Sequence, residues 1–597
     1  MLKLLRFLKD YKKESILGPL FKLLEASFEL VIPIIMAHII DIGISSGDKN
    51  YIIKMCLLMA LMGIIGLVCS LTAQFFAAKA AVGFATKLRK KLFEHIQRFA
   101  YTELDNIGVS TLITRMTSDI NQIQTGVNLV IRLFLRSPFI VFGAMIMAFR
   151  INVKAAMIFV FTIPALSIVI YGIMVTSIPL YKKVQSGLDK VLLAVRENLS
   201  GVRVIRAINY EKEEIHNFNE TNNALTKKQV LVGKISALMN PITYVIINLS
   251  IVVIVYKGAI QVDKGIISTG EVVALVNYMS QILVELIKLA NLIITVTKSV
   301  ASGNRVQEIF DIQPSMNKDL ENDSVYMYNN DFNKQEIAEN TEVGSKSEEL
   351  SKVNNIEFDK VGLVYGKSSE ESLSKISLNI KEGEVIGIIG GTGSGKSSLI
   401  NLIPRYYDVT SGTVKINNKN IKEYDLLSVR KQVAVVPQKS VLFKGTIREN
   451  IQLGKENATD EEIIEALKMA RAYEFVEKKE GKLDYVIEQG GKNLSGGQKQ
   501  RLAIARALVT DASVIILDDS MSALDYATDA ALRKEIKNIK DKIKIIVSQR
   551  VVSLGSADRI IVMDDGEIVD IGTHEDLLQN CEIYKEIYNS QVKKENE

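Results

Sequence analysis

Val385-Ile-Gly-Ile-Ile-Gly390, Gly391-Thr-Gly-Ser-Gly-Lys396-Ser397 and Ser398-Leu-Ile-Asn-Leu-Ile403 follow one another as an apolar run, a glycine-rich turn and a helix-like run. A short apolar run without alternation predicts a strand buried in a parallel sheet. From Gly390 to Ser397 the spacing is G-x4-G-K-S, a loop whose backbone N–H groups curl around phosphate oxygens at a helix start. Gly390, Gly391, Thr392, Gly393, Ser394, Gly395, Lys396, Ser397 and Ser398 are therefore the candidate ATP contacts. Lys396 is suited to the β- and γ-phosphates and Ser397 to Mg²⁺.

A second piece completes this chemistry. Val514-Ile-Ile-Leu-Asp518 reads as a core strand delivering one carboxylate to its C-terminal edge. Asp518 is placed to bind Mg²⁺, directly or through water.

Working outward, the chain divides by composition. Its 597 residues imply several domains, and its net charge of +5 gives no general argument for nucleic-acid binding. Cys56, Cys69 and Cys581 show no pairing or metal spacing. Residues 1–312 carry apolar runs long enough to span a bilayer, which takes ~20 helical residues. Residues 313–355 are polar and without period, predicting a mostly disordered linker. Residues 356–590 read as a soluble α/β domain, and residues 591–597 as a polar tail.

Six spans are predicted: Ile16–Ile40, Tyr51–Phe76, Val127–Phe149, Val153–Ile178, Ile242–Tyr256 with its flanks, and Val272–Val296. The first is too long for a signal-peptide core, so it reads as retained, preceded by a basic amphipathic helix, Leu2 to Tyr11. Connections 2–3 and 4–5 are long and carry Lys87, Arg89, Lys90, Arg98, Lys182, Arg196, Arg203 and Lys227, whereas the short loops carry few basic residues. The positive-inside rule places the long connections and both termini in the cytoplasm. With few Gly or Pro, these connections are expected to continue as helices, ~45 Å for thirty residues. Their turns fall near Gly108–Asp119 and Gly201–Glu214.

Asn493-Leu-Ser-Gly-Gly-Gln-Lys-Gln-Arg501, standing before Asp518, resembles the signature motif of the ABC transporter family. The resemblance covers nearly the whole chain apart from the linker. It implies an exporter-type half-transporter: a membrane α-helical bundle of six transmembrane helices with long cytoplasmic extensions, plus an α/β P-loop nucleotide-binding domain. Its cofactors would be ATP and Mg²⁺, and its activity ATP-hydrolysing transport. Tyr365 resembles the aromatic that stacks on adenine. Gln438 in Val-Val-Pro-Gln matches the glutamine that links the γ-phosphate and Mg²⁺ to the membrane domain. Glu488 resembles the acidic residue that touches the coupling loops. Ser522, Ala523, Leu524 and Asp525 match the loop at the dimer interface. In the family, Leu494, Ser495, Gly496, Gly497 and Gln498 would face the phosphate loop of the opposite subunit. Gly201-Val-Arg-Val-Ile-Arg206 and Gly108-x6-Arg115-x3-Asp119 look like the coupling regions.

Two positions depart from the family pattern. The residue after the Mg²⁺ aspartate is normally Glu, the base for attacking water, and here it is Asp519, one methylene shorter. The switch histidine is replaced by Gln549, which can donate to phosphate but cannot carry the imidazole's charge or proton. The four histidines, His38, His95, His216 and His574, lie elsewhere. Two losses beside an intact signature motif predict a heterodimer, in which this chain holds a slow ATP site and completes its partner's hydrolytic one. A homodimer with two slow sites, a nucleotide-occupied regulatory subunit gating a partner, and an exporter-fold importer are the alternatives.

Glu25, Glu29, Arg132, Arg136, Glu285 and Lys288 lie in or near spans, where charges face a cavity or a partner. Either Glu285 or Glu29 contacts a cationic substrate, or the acids pair across helices and the arginines snorkel at a boundary. The expected protein is thus multi-pass in the cell membrane, moves an amphipathic small molecule, lipid or peptide, and pairs with a second ABC half-transporter. Its Lys, Asn and Ile-rich composition suits a bacterium with AT-rich DNA.

Overall fold

Six helical stretches, Lys3–Ile44, Lys49–Ile96, Val109–Ile151, Val153–Ala207, Glu211–Asp263 and Thr269–Asp311, are long and apolar enough to cross a membrane. Each predicted span falls inside one of them. The computed structural model describes residues 1–316, 348–366 and 370–595. They form two compact units, Met1–Gln97 with Ser110–Ile312, and Arg98–Val109 with Gln313–Glu597. Most of the predicted linker, residues 317–347, lies outside the described residues.

The membrane unit comprises α1 (Lys12–His38), α2 (Lys49–Ile96), α4 (Val109–Thr114), α5 (Ile120–Leu133), α6 (Arg136–Ile151), α7 (Val153–Ala207), α8 (Glu211–Ala237), α9 (Met239–Asp263) and α10 (Thr269–Asp311); α3 (Tyr101–Ile107) belongs to the other unit. Small residues set its close approaches. Ala73, Ala77, Ala81 and Ala85 recur every four residues on α2 and are fully buried, the pattern that lets helix backbones draw together. Gly18 of α1 seats there, its missing Cβ only 3.7 Å from the Ala73 carbonyl. The opposite face of α2 exposes Leu57, Leu61, Ile64 and Phe75, a surface suited to hydrocarbon. Leu2–Tyr11 is a tight helix that runs on into α1, with Leu4 and Phe7 buried and Lys3, Arg6 and Lys9 outward.

The charges inside the spans pair across helices. Arg136 Nη1 donates to Glu285 Oε1 at 2.5 Å and Nη2 to Glu29 Oε2 at 2.7 Å, tying α6 to α10 and α1. Ser137 Oγ and Lys288 Nζ also donate to Glu285, at 2.7 and 2.8 Å. Arg136 is only 6% exposed, so the boundary snorkelling expected of it does not occur; two carboxylates compensate its charge in place.

The first reversal occupies 97–108, ahead of most of the predicted Gly108–Asp119 turn. Arg115 and Asp119 sit in the returning helix instead, because Asp119 is buried and held by Arg115 Nη1 at 2.9 Å and Arg305 Nε at 3.2 Å. The second reversal falls at Ile208–Tyr210, inside the predicted window, with Asn209 left-handed at φ 55.

The second unit holds two main sheets. β1 (Asn355–Leu363), β2 (Leu373–Lys381), β4 (Ser411–Ile416) and β5 (Lys419–Asn420) pair antiparallel in the order β2-β1-β4-β5. β3 (Val385–Gly390), β6 (Val433–Val436), β9 (Val514–Asp518), β10 (Ile543–Val547), β11 (Arg559–Asp564) and β12 (Glu567–Gly572) run β12-β11-β3-β10-β9-β6, parallel except at β11–β12. A short pair, β7 (Gly445–Thr446) and β8 (Val486–Ile487), stands apart. The helices are α11 (Lys396–Asn401), α12 (Leu426–Lys431), α13 (Ile447–Gln452), α14 (Asp460–Met469), α15 (Tyr473–Glu477), α16 (Gly496–Leu508), α17 (Tyr526–Asn538), α18 (His574–Asn580) and α19 (Glu582–Glu595). Strand periodicity splits the core in two. Ile386, Ile388, Val514, Ile516 and Ile545 face the antiparallel sheet's cluster, whereas Val385, Ile389, Ile515, Leu517 and Ile546 face the helical one.

Ordered packing begins before residue 356, where the linker was expected to end. Leu350 and Val353 are buried, and Leu350 N–H donates to Ser428 Oγ at 3.0 Å. The expected tail likewise starts late. Gln591 lies in α19 and binds the chain after β10: its Oε1 accepts from Val551 N–H at 2.9 Å and its Nε2 donates to the Gln549 carbonyl at 2.7 Å. Residues 596–597 lie outside the described ones. We expect Leu350→Ala to destabilise this unit by about 2–4 kcal/mol through a cavity, read as faster hydrogen exchange along β1 and β4; unchanged exchange would place Leu350 outside the core.

Candidate active site

Parallel strands carry their following loops to one edge of a sheet, where open α/β folds bind ligands. Here β3, β10, β9 and β6 are consecutive neighbours, so Gly390–Ser397, Ser548–Gln549, Asp518–Asp519 and Gln438 emerge together. The loop after β3 turns through Gly393 at φ 89 and Gly395 at φ 91. Gly390 admits no side chain, since a Cβ would stand 2.1 Å from the Met563 carbonyl. Gly391 and Gly393 are open, with nothing within 4 Å of a Cβ, leaving backbone N–H groups accessible. Gly395 caps α11, which starts at Lys396.

Lys396 is 9% exposed, and its Nζ donates to Gly390 O at 3.0 Å, Gly391 O at 2.5 Å and Ser394 Oγ at 3.2 Å. Burial pushes its ammonium below the ordinary lysine range, against the pull of Asp518 and Asp519. Ser397 Oγ donates to Asp518 Oδ2 at 3.2 Å. Gln438 Nε2 donates to Asp519 Oδ2 at 3.3 Å. Burial raises both carboxyls above their usual range; the Ser397 hydrogen bond opposes this at Asp518, and that of Gln438 at Asp519. A hydroxyl, a carboxylate and an amide oxygen are hard donors, the kind Mg²⁺ shares with phosphate oxygens, so Ser397, Asp518 and Gln438 fit that ion.

Asp519 stands at φ 44, a left-handed conformation that Asp tolerates better than most residues. Its N–H donates to Val547 O at 3.0 Å and its carbonyl accepts from Ser522 Oγ at 3.0 Å. Tyr365 meets the edge of Tyr407, ring centroids 4.9 Å apart at 84°, and its hydroxyl lies near Ser398, beside the loop. Burial holds its hydroxyl above the ordinary tyrosine range. Gln549 is exposed at the end of β10. Its neighbour Arg550, which sequence reasoning passed over, lines the space beside Asp519 and donates to Ser522 O at 3.3 Å.

The signature residues form the start of α16. Ser495 Oγ accepts from Gln498 N–H at 3.3 Å, and Gln498 Oε1 accepts from Ser495 N–H at 3.0 Å, a reciprocal cap. Leu494 is buried, whereas Ser495 and Gly496 are exposed. Among the described residues no hydrogen bond joins them to the Lys396 loop. Gln500 Oε1 accepts from Ala523 N–H at 3.1 Å, linking α16 to the Ser522–Asp525 loop, where Asp525 caps α17. Glu488 is exposed, and its N–H donates to Asn493 Oδ1 at 3.1 Å.

Also missed was an aromatic group on α3. Tyr101 stacks on Tyr406 at 4.5 Å, and Tyr407 donates its hydroxyl to Asp105 at 2.5 Å. Tyr406-Tyr407 is visible in sequence, but its partners lie some three hundred residues earlier, so no local pattern reveals them.

Residues 15–286 match the family described as ABC transporter transmembrane region, and residues 373–522 match the family described as ABC transporter. The chain is 34% identical over 595 residues to YfiB of Bacillus subtilis, an uncharacterized ABC transporter ATP-binding protein, spanning 100% of this chain and 99% of that one. It is 31% identical to YgaD of the same organism, provisionally named a multidrug export ATP-binding/permease protein, over 99% of both chains. A solved bacterial Atm1-family ABC exporter with ATP bound superposes at a TM-score of 0.79 with 20% identity, covering 97% of this chain and 99% of that one, a likeness of fold. With its six apolar helices and its phosphate loop on one polypeptide, the chain belongs to the ABC transporters, as a multi-pass membrane protein with an ATP-binding, ATP-hydrolysing domain.

Proposed function

We propose that this chain is one subunit of a heterodimeric exporter of amphipathic or hydrophobic compounds, with its ATP-binding unit and both termini in the cytoplasm. The pairing of Asp519 with Gln549 carries the reading. Asp519 shares a hydrogen bond with Gln438 beside the phosphate loop, yet its carboxylate is one methylene short of a glutamate's, and Gln549 supplies no imidazole. General-base catalysis is worth typically ~10²–10⁴-fold, and small misplacements cost ~10²-fold. The exposed Ser495–Gly496 start of α16 is available to a partner's nucleotide. Export is supported by the name of the YgaD relative, and the orientation by the basic long connections.

In this reading Lys396 and the loop N–H groups hold the phosphates, Tyr365 the adenine, and Ser397, Asp518 and Gln438 the Mg²⁺. The bound Mg²⁺ would supply charge neutralisation between the β- and γ-phosphates. Asp519 orients water poorly, so ATP dwells here while the partner's site turns over.

Four outcomes test this. Asp519→Glu combined with Gln549→His raises hydrolysis at this site by about 10²-fold in an ATPase assay of the chain with its partner. The unaltered chain alone turning over at about 10 per second would refute the degenerate site. Lys396→Ala abolishes nucleotide retention at this site and slows partner-dependent transport; undiminished transport would deny ATP here any transport or gating role. Finally, Mg²⁺–nucleotide affinity, followed by equilibrium titration, falls on both sides of neutrality. Asp518 and Asp519 keep their protons to higher pH than ordinary carboxylates, so the ionised forms are lost early as pH falls. Lys396 gives up its proton at lower pH than an ordinary lysine, so phosphate binding weakens as pH rises.

A further inference from the structure

The sheet lets go of the chain just before Gln549. β10 ends at Val547, whose carbonyl accepts from Asp519 N–H at 3.0 Å, and Ser548 donates its N–H to Ile388 O at 3.1 Å. Gln549 stands one residue further on, and there Gln591 takes over. Its Nε2 donates to the Gln549 carbonyl at 2.7 Å, and its Oε1 accepts from Val551 N–H at 2.9 Å. One carboxamide thus answers the peptide groups on both sides of Arg550, in the manner of a residue in a parallel neighbouring strand. Arg550 between them is extended, at φ −98 and ψ 120.

The helix that carries Gln591 is itself fixed. Tyr584 of α19 is fully buried, and Ile587 and Tyr588 pack against the same apolar cluster, which also holds Val551 and Leu554. Helical spacing puts residues 584, 587, 588 and 591 on one face, so Gln591 extends the packed face by a turn and ends it in a polar group. On the other side of the loop, α17 holds the residues that follow. Arg533 Nη1 donates to Val552 O at 2.7 Å, and Ser553 Oγ donates to Asp529 Oδ2 at 3.2 Å. The side chain of Gln549 is exposed, so its direction depends on the main chain that carries it.

We infer that Gln591 is a positioning residue of the nucleotide site: by fixing the peptide groups around Arg550 it aims Gln549 at the terminal phosphate of ATP. The end of α19 therefore sets how strongly this site prefers a nucleoside triphosphate to a diphosphate. The inference rests on the reading above, in which Gln549 stands where the switch histidine would. A glutamine needs such help. It is uncharged, so no net charge draws it to the phosphate, and its long side chain loses more rotamer freedom on being ordered than most. Placement of its main chain must then carry the contact, and Gln591 supplies that placement from a helix anchored in the core.

The test is equilibrium binding of adenosine 5′-(β,γ-imido)triphosphate and of ADP, each with Mg²⁺, to the full-length chain in non-ionic detergent. Gln549→Ala is expected to weaken the triphosphate analogue about tenfold, the loss of one hydrogen bond to a charged oxygen, and to leave ADP unchanged. Gln591→Leu is expected to give the same pattern. Gln591→Glu, nearly the same shape, keeps the acceptor for Val551 N–H, removes the donor to the Gln549 carbonyl, and shifts the preference in the same direction; it decides the matter if Gln591→Leu does not fold. Combining Gln549→Ala with Gln591→Leu costs no more than Gln549→Ala alone, because the two residues act in series. ADP weakened in step with the analogue, or losses that add in the double variant, would make Gln591 a stabilising residue only and overturn the inference. So would an unchanged preference in the Gln591 variants where Gln549→Ala has its effect. Gln549→Ala without effect on either nucleotide overturns instead the reading of Gln549 as a phosphate contact, and the inference falls with it.

Discussion

Parallel hydrogen bonding among β6, β9, β10 and β3 is the constraint on which the chemistry of the chain depends. Val436 pairs with Leu517, Val547 with Asp518, and Ile546 with Gly387. With the register fixed, residues more than a hundred positions apart leave the sheet at the same edge. The hydroxyl of Ser397 then reaches Asp518, and the amide of Gln438 reaches Asp519, without either loop having to search for its partner. The core on both sides of the sheet is what makes the register costly to shift, because a slip of one residue would exchange the two apolar faces.

In the membrane unit, electrostatics sets the arrangement. Arg136 is buried where a bare guanidinium would be expensive, and it joins three helices because carboxylates on two of them converge on it. Lys22, also buried, is matched by Glu25 at 2.5 Å and by Ser70 at 3.0 Å. Such matched groups narrow the ways the helices can pack, since a rotated helix would strand a charge among apolar neighbours.

Much of this was legible in the sequence. The G-x4-G-K-S loop, the strand ending at Asp518 and the six apolar runs are local patterns with local causes, so position along the chain suffices to read them. The pairing of acids across helices followed from the cost of isolated charge. What escaped depended on distance along the chain. The burial of Arg136 could not be separated from snorkelling until Glu29 and Glu285 were seen on facing helices. The stacking of Tyr101 on Tyr406, the packing of Leu350 and the reach of Gln591 to Gln549 all join segments whose proximity only the tertiary fold creates.

The clasp made by Gln591 has an evolutionary consequence. It grips the main chain at residues 549 and 551 and leaves the side chain of residue 549 outside its hold. The path of that loop is thus guaranteed by the terminal helix, independently of which amino acid occupies the position. A substitution at that position therefore leaves both of these main-chain hydrogen bonds available, so the scaffold tolerates change there.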